Sequence, residues 1–246
     1  AAEAEAAYQL LVNVTRAPLD RREVRHALGM VIDRAELVRA LKLDGAVPAY
    51  SPVVAPPYAP YRAPYARLDR DDRQVVARAL LLDLDTARTP PLRFAVPEGP
   101  GHRALAEAVA GAWRGLGFAV ALTVRAETEH ERAVLAGDFD IAVAVPWAQA
   151  ATLDAQLMRF TQAAGPWNAA RYRELDFETF MTAADGEITA EFQQGQLREA
   201  EGVLIEDQVV WPVLQWPAAV IRGDAIAGAA ANTAGLHPLG LLVVQR

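Results

Sequence analysis

Apolar residues recur along this chain with two periods, and the switch between them marks out the elements. Tyr8 to Val14 is a short apolar run and predicts a strand. Val24, Leu28, Val31 and Ile32 then recur at helical spacing and predict a helix over about 21–31, with Asp20 as its cap and Glu23 at the capping-box position. Asp33 caps a second helix carrying Leu37, Val38 and Leu41. Residues 44–66 hold Pro48, Pro52, Pro56, Pro57, Pro60 and Pro64 with four tyrosines among them, which predicts an extended loop wrapped on the body. A helix follows over about 71–84.

The clearest pattern lies in the middle. Strands are predicted over 91–96, 118–125 and 139–145. Between them fall helices over 101–116, with Leu105, Val109, Ala112 and Trp113 on one face and Gly117 as its stop, and over 129–136. Strand, helix, strand, helix, strand implies parallel pairing through right-handed crossovers. Helices near 153–162, 176–185 and 190–206 follow, then apolar strands near 209–215 and 218–222 and a last strand over 241–245. The expected fold class is α/β, a mixed and partly parallel sheet flanked by helices. Residues 1–7 read as a disordered lead-in or an artificial junction, and residues 8–246 as a single domain.

Composition narrows the chemistry. The chain has 246 residues, a formal net charge of −7 and no cysteine. An acidic surface repels phosphate backbones, so no nucleic-acid partner is expected. Thiolate metal sites, disulfides and cysteine nucleophiles are excluded. No apolar run reaches membrane-spanning length, and no basic segment followed by an apolar one opens the chain as a signal peptide would. His26, His102, His130 and His237 lie on separate elements without metal-ligand spacing. No phosphate-cradling glycine motif occurs, and the chain has a single serine, Ser51. The carboxylates Asp138 and Asp140 flank a buried strand, and Glu127, Glu129 and Glu131 read as a helix start, where acids are favoured. An enzyme is therefore not expected, nor a cofactor or a metal. Trp147, Trp167, Trp211 and Trp216 sit near strand ends or in loops. Trp147 is the strongest ligand candidate, because Pro146 ends a parallel-type strand and open α/β sheets place ligands beyond the carboxyl ends of such strands.

The segment Pro18-Leu19-Asp20-Arg21-Arg22-Glu23-Val24-Arg25-His26-Ala27-Leu28-Gly29-Met30-Val31-Ile32-Asp33-Arg34 resembles a signature of the family 5 extracellular solute-binding proteins. The resemblance continues in order through Tyr8 to Asn13, Pro48 to Pro57, Ala77 to Leu84, Ala184, Glu199 to Pro212 and His237-Pro238-Leu239. It covers nearly the whole chain, but only the second part of that family's polypeptide. It implies a C-terminal half containing lobe II, with 8–14 and 236–246 next to the hinge and the N-terminal lobe as a missing partner.

The function so implied is that of the substrate-binding component of an ABC-type importer. Such a protein is exported to the periplasm, monomeric, and closes two lobes on a small or peptide-like solute before docking on a membrane permease. The alternative is a sensing or protein-interaction module derived from the same fold. Peptide-binding members place an aspartate shortly after the tryptophan that follows the Asp138-Phe139-Asp140-Ile141 strand. Here Trp147 is followed by Ala148-Gln149-Ala150-Ala151, so Ala150 stands where that acid is expected and Asp154 is the candidate for a displaced one. The ligand-binding set implied is Trp147, Gln149, Ala150 and Asp154.

Overall fold

A computed structural model describes residues 4–42, 46–52, 62–144, 152–186, 189–217, 226–227 and 243–244. Its centre is a six-stranded mixed sheet in the order β2-β6-β1-β5-β3-β4. The strands are β1 (Ala4–Val12), β2 (Val47–Pro48), β3 (Leu92–Pro97), β4 (Val120–Arg125), β5 (Ile141–Val143) and β6 (Val210–Pro217). β3 runs parallel to both β4 and β5, with Phe94 opposite Leu122 and Ile141. β1 runs antiparallel to β5 and β6, with Leu10 opposite Val143 and Trp211. Two further short strands, β7 (Ile226–Ala227) and β8 (Val243–Val244), pair only with each other.

Alternation along each strand divides the interior in two. Leu10 and Val12, Leu92, Phe94 and Val96, Ile141 and Val143, and Trp211 and Val213 point to one face. Leu11, Ala95, Ala142 and Val210 point to the other. Successive side chains of a strand alternate between faces, so one run of apolar residues feeds two cores.

The first core is covered by α1 (Arg22–Met30), α2 (Arg34–Ala40), α3 (Arg70–Leu80) and α4 (Pro100–Arg114), through residues such as Val24, Leu28, Leu37, Ala77, Leu105 and Val109. The second is covered by α5 (Glu127–Ala136), α6 (Leu153–Met158), α7 (Leu175–Asp185) and α8 (Ala190–Glu206), through Val134, Leu157, Phe177, Leu197 and Leu204. The result is three layers, helices on both faces of one sheet.

The predicted parallel unit is present as β3-α4-β4-α5-β5. The crossover from β3 to β4 and the return from β4 to β5 run in opposite directions across the sheet. A fixed right hand then puts α4 and α5 on opposite faces, as observed. Carboxylates at the start of β5 fasten this unit. Asp140 accepts from Arg93 N at 2.9 Å, Nε at 3.1 Å and Nη2 at 2.9 Å. Asp138 takes Arg93 Nη1 at 2.9 Å and Arg125 Nη2 at 3.1 Å. The pair clamps strands together.

Several expectations are corrected in detail. The lead-in expected through Ala7 is already strand from Ala4, because its backbone pairs with β6 as far as Pro217. The cap of α1 is Arg21 and not Asp20, and no side chain bonds the free amides there. Asp33 does cap α2, accepting from Glu36 N at 3.0 Å. α4 stops at Arg114, one turn before Gly117, whose φ of +94° lets the chain turn back toward β4. The helix expected over 153–162 ends at Met158. One strand over 210–217 replaces the first of the two expected after 209, and residues 218–222 lie outside the described residues. Trp211 is wholly buried in the first core, which removes it from the ligand candidates.

Candidate functional site

The two strands at the middle of the sheet define a crevice. β3 and β5 are parallel neighbours. The chain leaving β3 enters α4 on the first face, while the chain leaving β5 enters α6 on the second. Where two adjacent parallel strands send their connections to opposite faces, their carboxyl ends leave a gap, the switch point at which open α/β sheets hold ligands. β1 runs antiparallel beside β5, so its middle, at Tyr8 and Gln9, passes this same edge. Ala144 N donates to Gln9 O at 2.9 Å and fixes that proximity.

On the first face, Tyr8 stacks on His102 at 5.5 Å between ring centroids, and its hydroxyl lies 2.9 Å from His102 Nδ1. His102 stands in the first turn of α4. Burial raises the Tyr8 hydroxyl well above its ordinary pKa and lowers that of His102, so the neutral pair is the stable form. On the second face, Gln9 Nε2 donates to Pro52 O at 2.6 Å, and Gln9 Oε1 accepts from Arg159 Nη2. Ser51 Oγ donates to Glu201 Oε1, but both residues are almost fully buried, so this hydroxyl–carboxylate contact presents nothing to a substrate.

His130, on α5, approaches β5 from the second face. Its Nε2 lies 2.8 Å from Val143 O, which only accepts, so Nε2 carries the proton. Among the described residues, its Nδ1 is buried without a partner. Protonation would place a charge on that atom, and burial accordingly lowers the pKa of His130. A histidine whose folded pKa lies below its unfolded value takes up fewer protons folded than unfolded. The stability it contributes is complete above the unfolded pKa of about 6.5 and is lost as pH falls below it. Urea unfolding should show this acid-side loss, and His130→Gln, which keeps a donor for Val143 O, should flatten it. An unchanged pH profile in the variant would assign the acid sensitivity to other groups.

Of the ligand candidates, Trp147, Gln149 and Ala150 lie outside the described residues. Asp154 is half-buried in the first turn of α6. The structure does place both ends of the connecting segment: Ala144 at the end of β5, and Thr152 as the cap of α6. Tyr8, Gln9, His102, His130 and Arg159 were not among the candidates. Gln9 alone left a signal, as a polar residue inside an apolar run. Among the described residues, no group of three or more histidines and carboxylates is placed to hold a metal ion, and no helix is long and apolar enough to cross a membrane.

The described residues thus form a three-layer α/β fold with a switch point between β3 and β5. Residues 2–168 match the family described as bacterial extracellular solute-binding proteins, family 5, middle, and the chain belongs to that family. Over 214 residues it is 22% identical to the periplasmic murein peptide-binding protein MppA of Escherichia coli K12, covering 85% of this chain and 40% of that protein. The unliganded open form of MppA matches with a TM-score of 0.85 at 21% identity, over 99% of this chain and 48% of that one. Haemophilus influenzae OppA in complex with RPPGFSPFR matches with a TM-score of 0.83 at 19% identity, over 100% of this chain and 49% of that one. The chain thus spans less than half the length of these relatives.

Proposed function

We propose that this chain is lobe II of the substrate-binding component of an ABC-type importer, and that it captures a small or peptide-like solute against a second lobe. The observation that carries the reading is the family match over residues 2–168, which includes the whole β3–β5 unit and the segment leaving β5. The switch point at the carboxyl ends of β3 and β5 supports it, and the ligand set proposed is Trp147, Gln149 and Ala150, which follow β5 in sequence, with Asp154 of α6. In this reading the chain works in the periplasm as a monomer and binds no nucleic acid. It catalyses nothing and docks on a membrane permease once the lobes have closed. Residues 8–14 and 236–246 are the hinge-proximal segments.

A two-lobed cleft divides its contacts, and ordering a solute costs the same whether one lobe or two receive it. One lobe should therefore bind weakly. Calorimetry with tripeptides should give a Kd weaker than about 1 μM for this chain, and at least about a hundredfold tighter for the product of the full reading frame that contains it. Submicromolar binding by this chain alone would overturn the one-lobe reading. No peptide binding by the full product would overturn peptide capture.

A further inference from the structure

Two arginines are buried in the body of this chain and a third, Arg159, is partly buried, and their surroundings differ. Arg34 is wholly buried. Its Nε donates to Ala49 O and Pro212 O, its Nη1 to Gly29 O and Ile32 O, and its Nη2 to Tyr65 Oη. Arg25 is buried too, with Nε on Asp207 O and Nη1 on Leu19 O and Asp20 O. Both are held mainly by backbone carbonyls and tie their elements together.

Arg159 is not saturated. A guanidinium has five N–H donors. The Arg159 hydrogen bond described is the one from Nη2 to Gln9 Oε1. Among the described residues, its Nε is buried with no partner and no carboxylate stands within 4.0 Å of the guanidinium. The Phe160 ring lies 4.8 Å away. Burial lowers the pKa to about 10, with no acid opposing it, so the group is still a cation at neutral pH. A cation held partly out of water without a counter-ion carries a desolvation cost.

Its position gives that cost a use. Gln9 is pinned on one side by its own bond to Pro52 O and on the other by the Ala144 amide on its carbonyl. Its Oε1 therefore holds the guanidinium beside the end of β5, at the second-face wall of the crevice. Arg159 itself directly follows α6, the helix that receives the segment leaving β5. The expected acid for a ligand ammonium is replaced in the sequence by Ala150, while Gln9 holds a cation with few partners beside the end of β5.

We propose that Arg159 is the receptor for an oxyanion group of the solute, a carboxylate or a phosphate, and that it reads the anionic end of the ligand. This rests on the solute capture proposed above. A guanidinium fork matches either group through two parallel hydrogen bonds.

The test uses this chain with three probes: inorganic phosphate, trialanine, and trialanine amide, which lacks the carboxylate. Calorimetry reports binding, and the NMR signal of the Arg159 Nε–H group reports its place. Phosphate or trialanine should bind and move that signal, and Arg159→Gln should weaken binding by at least about tenfold, with Arg159→Lys between the two. Binding of trialanine but not phosphate would assign a peptide carboxylate, and the reverse a phosphate-bearing solute. Arg159→Met should melt at about the same temperature as the parent chain, since it removes a partly buried charge that has no counter-ion and a single described hydrogen bond. Equal binding of the amide and the acid, with Arg159 unmoved, would overturn the oxyanion site and leave solute capture standing. So would a loss of several degrees in the melting temperature of Arg159→Met, which would make the residue structural. Failure of all three probes would also overturn the site, and the full reading frame would then decide separately whether solute is captured.

Discussion

Trp113→Ala should lower the unfolding free energy by about 3–5 kcal/mol. Trp113 is wholly buried and stands where four elements meet. It belongs to α4, packs on Phe94 of β3 at 5.2 Å and meets Trp211 of β6 edge-on at 5.7 Å. Its Nε1 donates to Leu28 O of α1 at 3.0 Å. Truncation opens a cavity the size of an indole between rings that have no freedom to close it, and it strands a buried carbonyl at a further cost of about 1 kcal/mol. A domain of ordinary stability holds about 5–15 kcal/mol in all, so a third or more of the total is at stake. Urea denaturation followed by circular dichroism reads the change. A loss under about 1 kcal/mol would mean that the first core repacks freely around the gap.

Trp113 also shows what the chain made legible. Leu105, Val109 and Trp113 recur at helical spacing, and that spacing alone puts them on one buried stripe. The same holds for Val24, Leu28 and Ile32 on α1 and just past it, and for the alternation that splits β3 between two cores. The parallel pairing of β3, β4 and β5 followed from the handedness of crossovers. What did not follow is which strands neighbour them. Tyr8 to Val14 reads as a strand on its own pattern, but nothing local says that it lies inside the sheet, antiparallel to β5 on one side and β6 on the other. Pairing between strands so distant in sequence is a property of the assembled sheet.

The site was less legible for a related reason. Its members come from β1, α4, α5 and the turn after α6, and each looks ordinary in its own segment. Arg159 stands at the end of an amphipathic helix, where a basic residue is favoured by the helix dipole and is usually solvated. Only the assembled structure turns it inward to Gln9. The capping of α1 failed for a smaller reason. Asp20 and Arg21 are adjacent, the Arg25 amide bonds Arg21 O at 3.3 Å, and the bend made by Pro18 to Asp20 sets the helix start one residue later than side-chain preference alone suggests.

Arg34→Met should cost about 2–4 kcal/mol, whereas the same exchange at the partly buried Arg159 should cost little. The two guanidiniums differ in what they leave behind. Arg34 is an acceptor-saturated hub. It joins α1 through Gly29 O, the Ile32 turn, the proline-rich segment through Ala49 O and Tyr65, and β6 through Pro212 O. The rings of Tyr50 and Tyr65 lie 5.0 and 5.7 Å from its Cζ, so a cation–π contribution is lost as well. Removal of the charge recovers several kcal/mol of desolvation, but it strands buried carbonyls that no methionine atom can satisfy, each at about 1–3 kcal/mol. The second effect is larger because the acceptors outnumber the one charge recovered. Arg34→Lys should recover little, because an ammonium on a flexible stem cannot reach carbonyls on three separate elements at once. Denaturant unfolding of Arg34→Met and Arg159→Met side by side measures the contrast. Stabilities equal to each other, whichever direction they took, would show that these two arginines do the same work and would remove the structural basis for treating only one of them as a binding group.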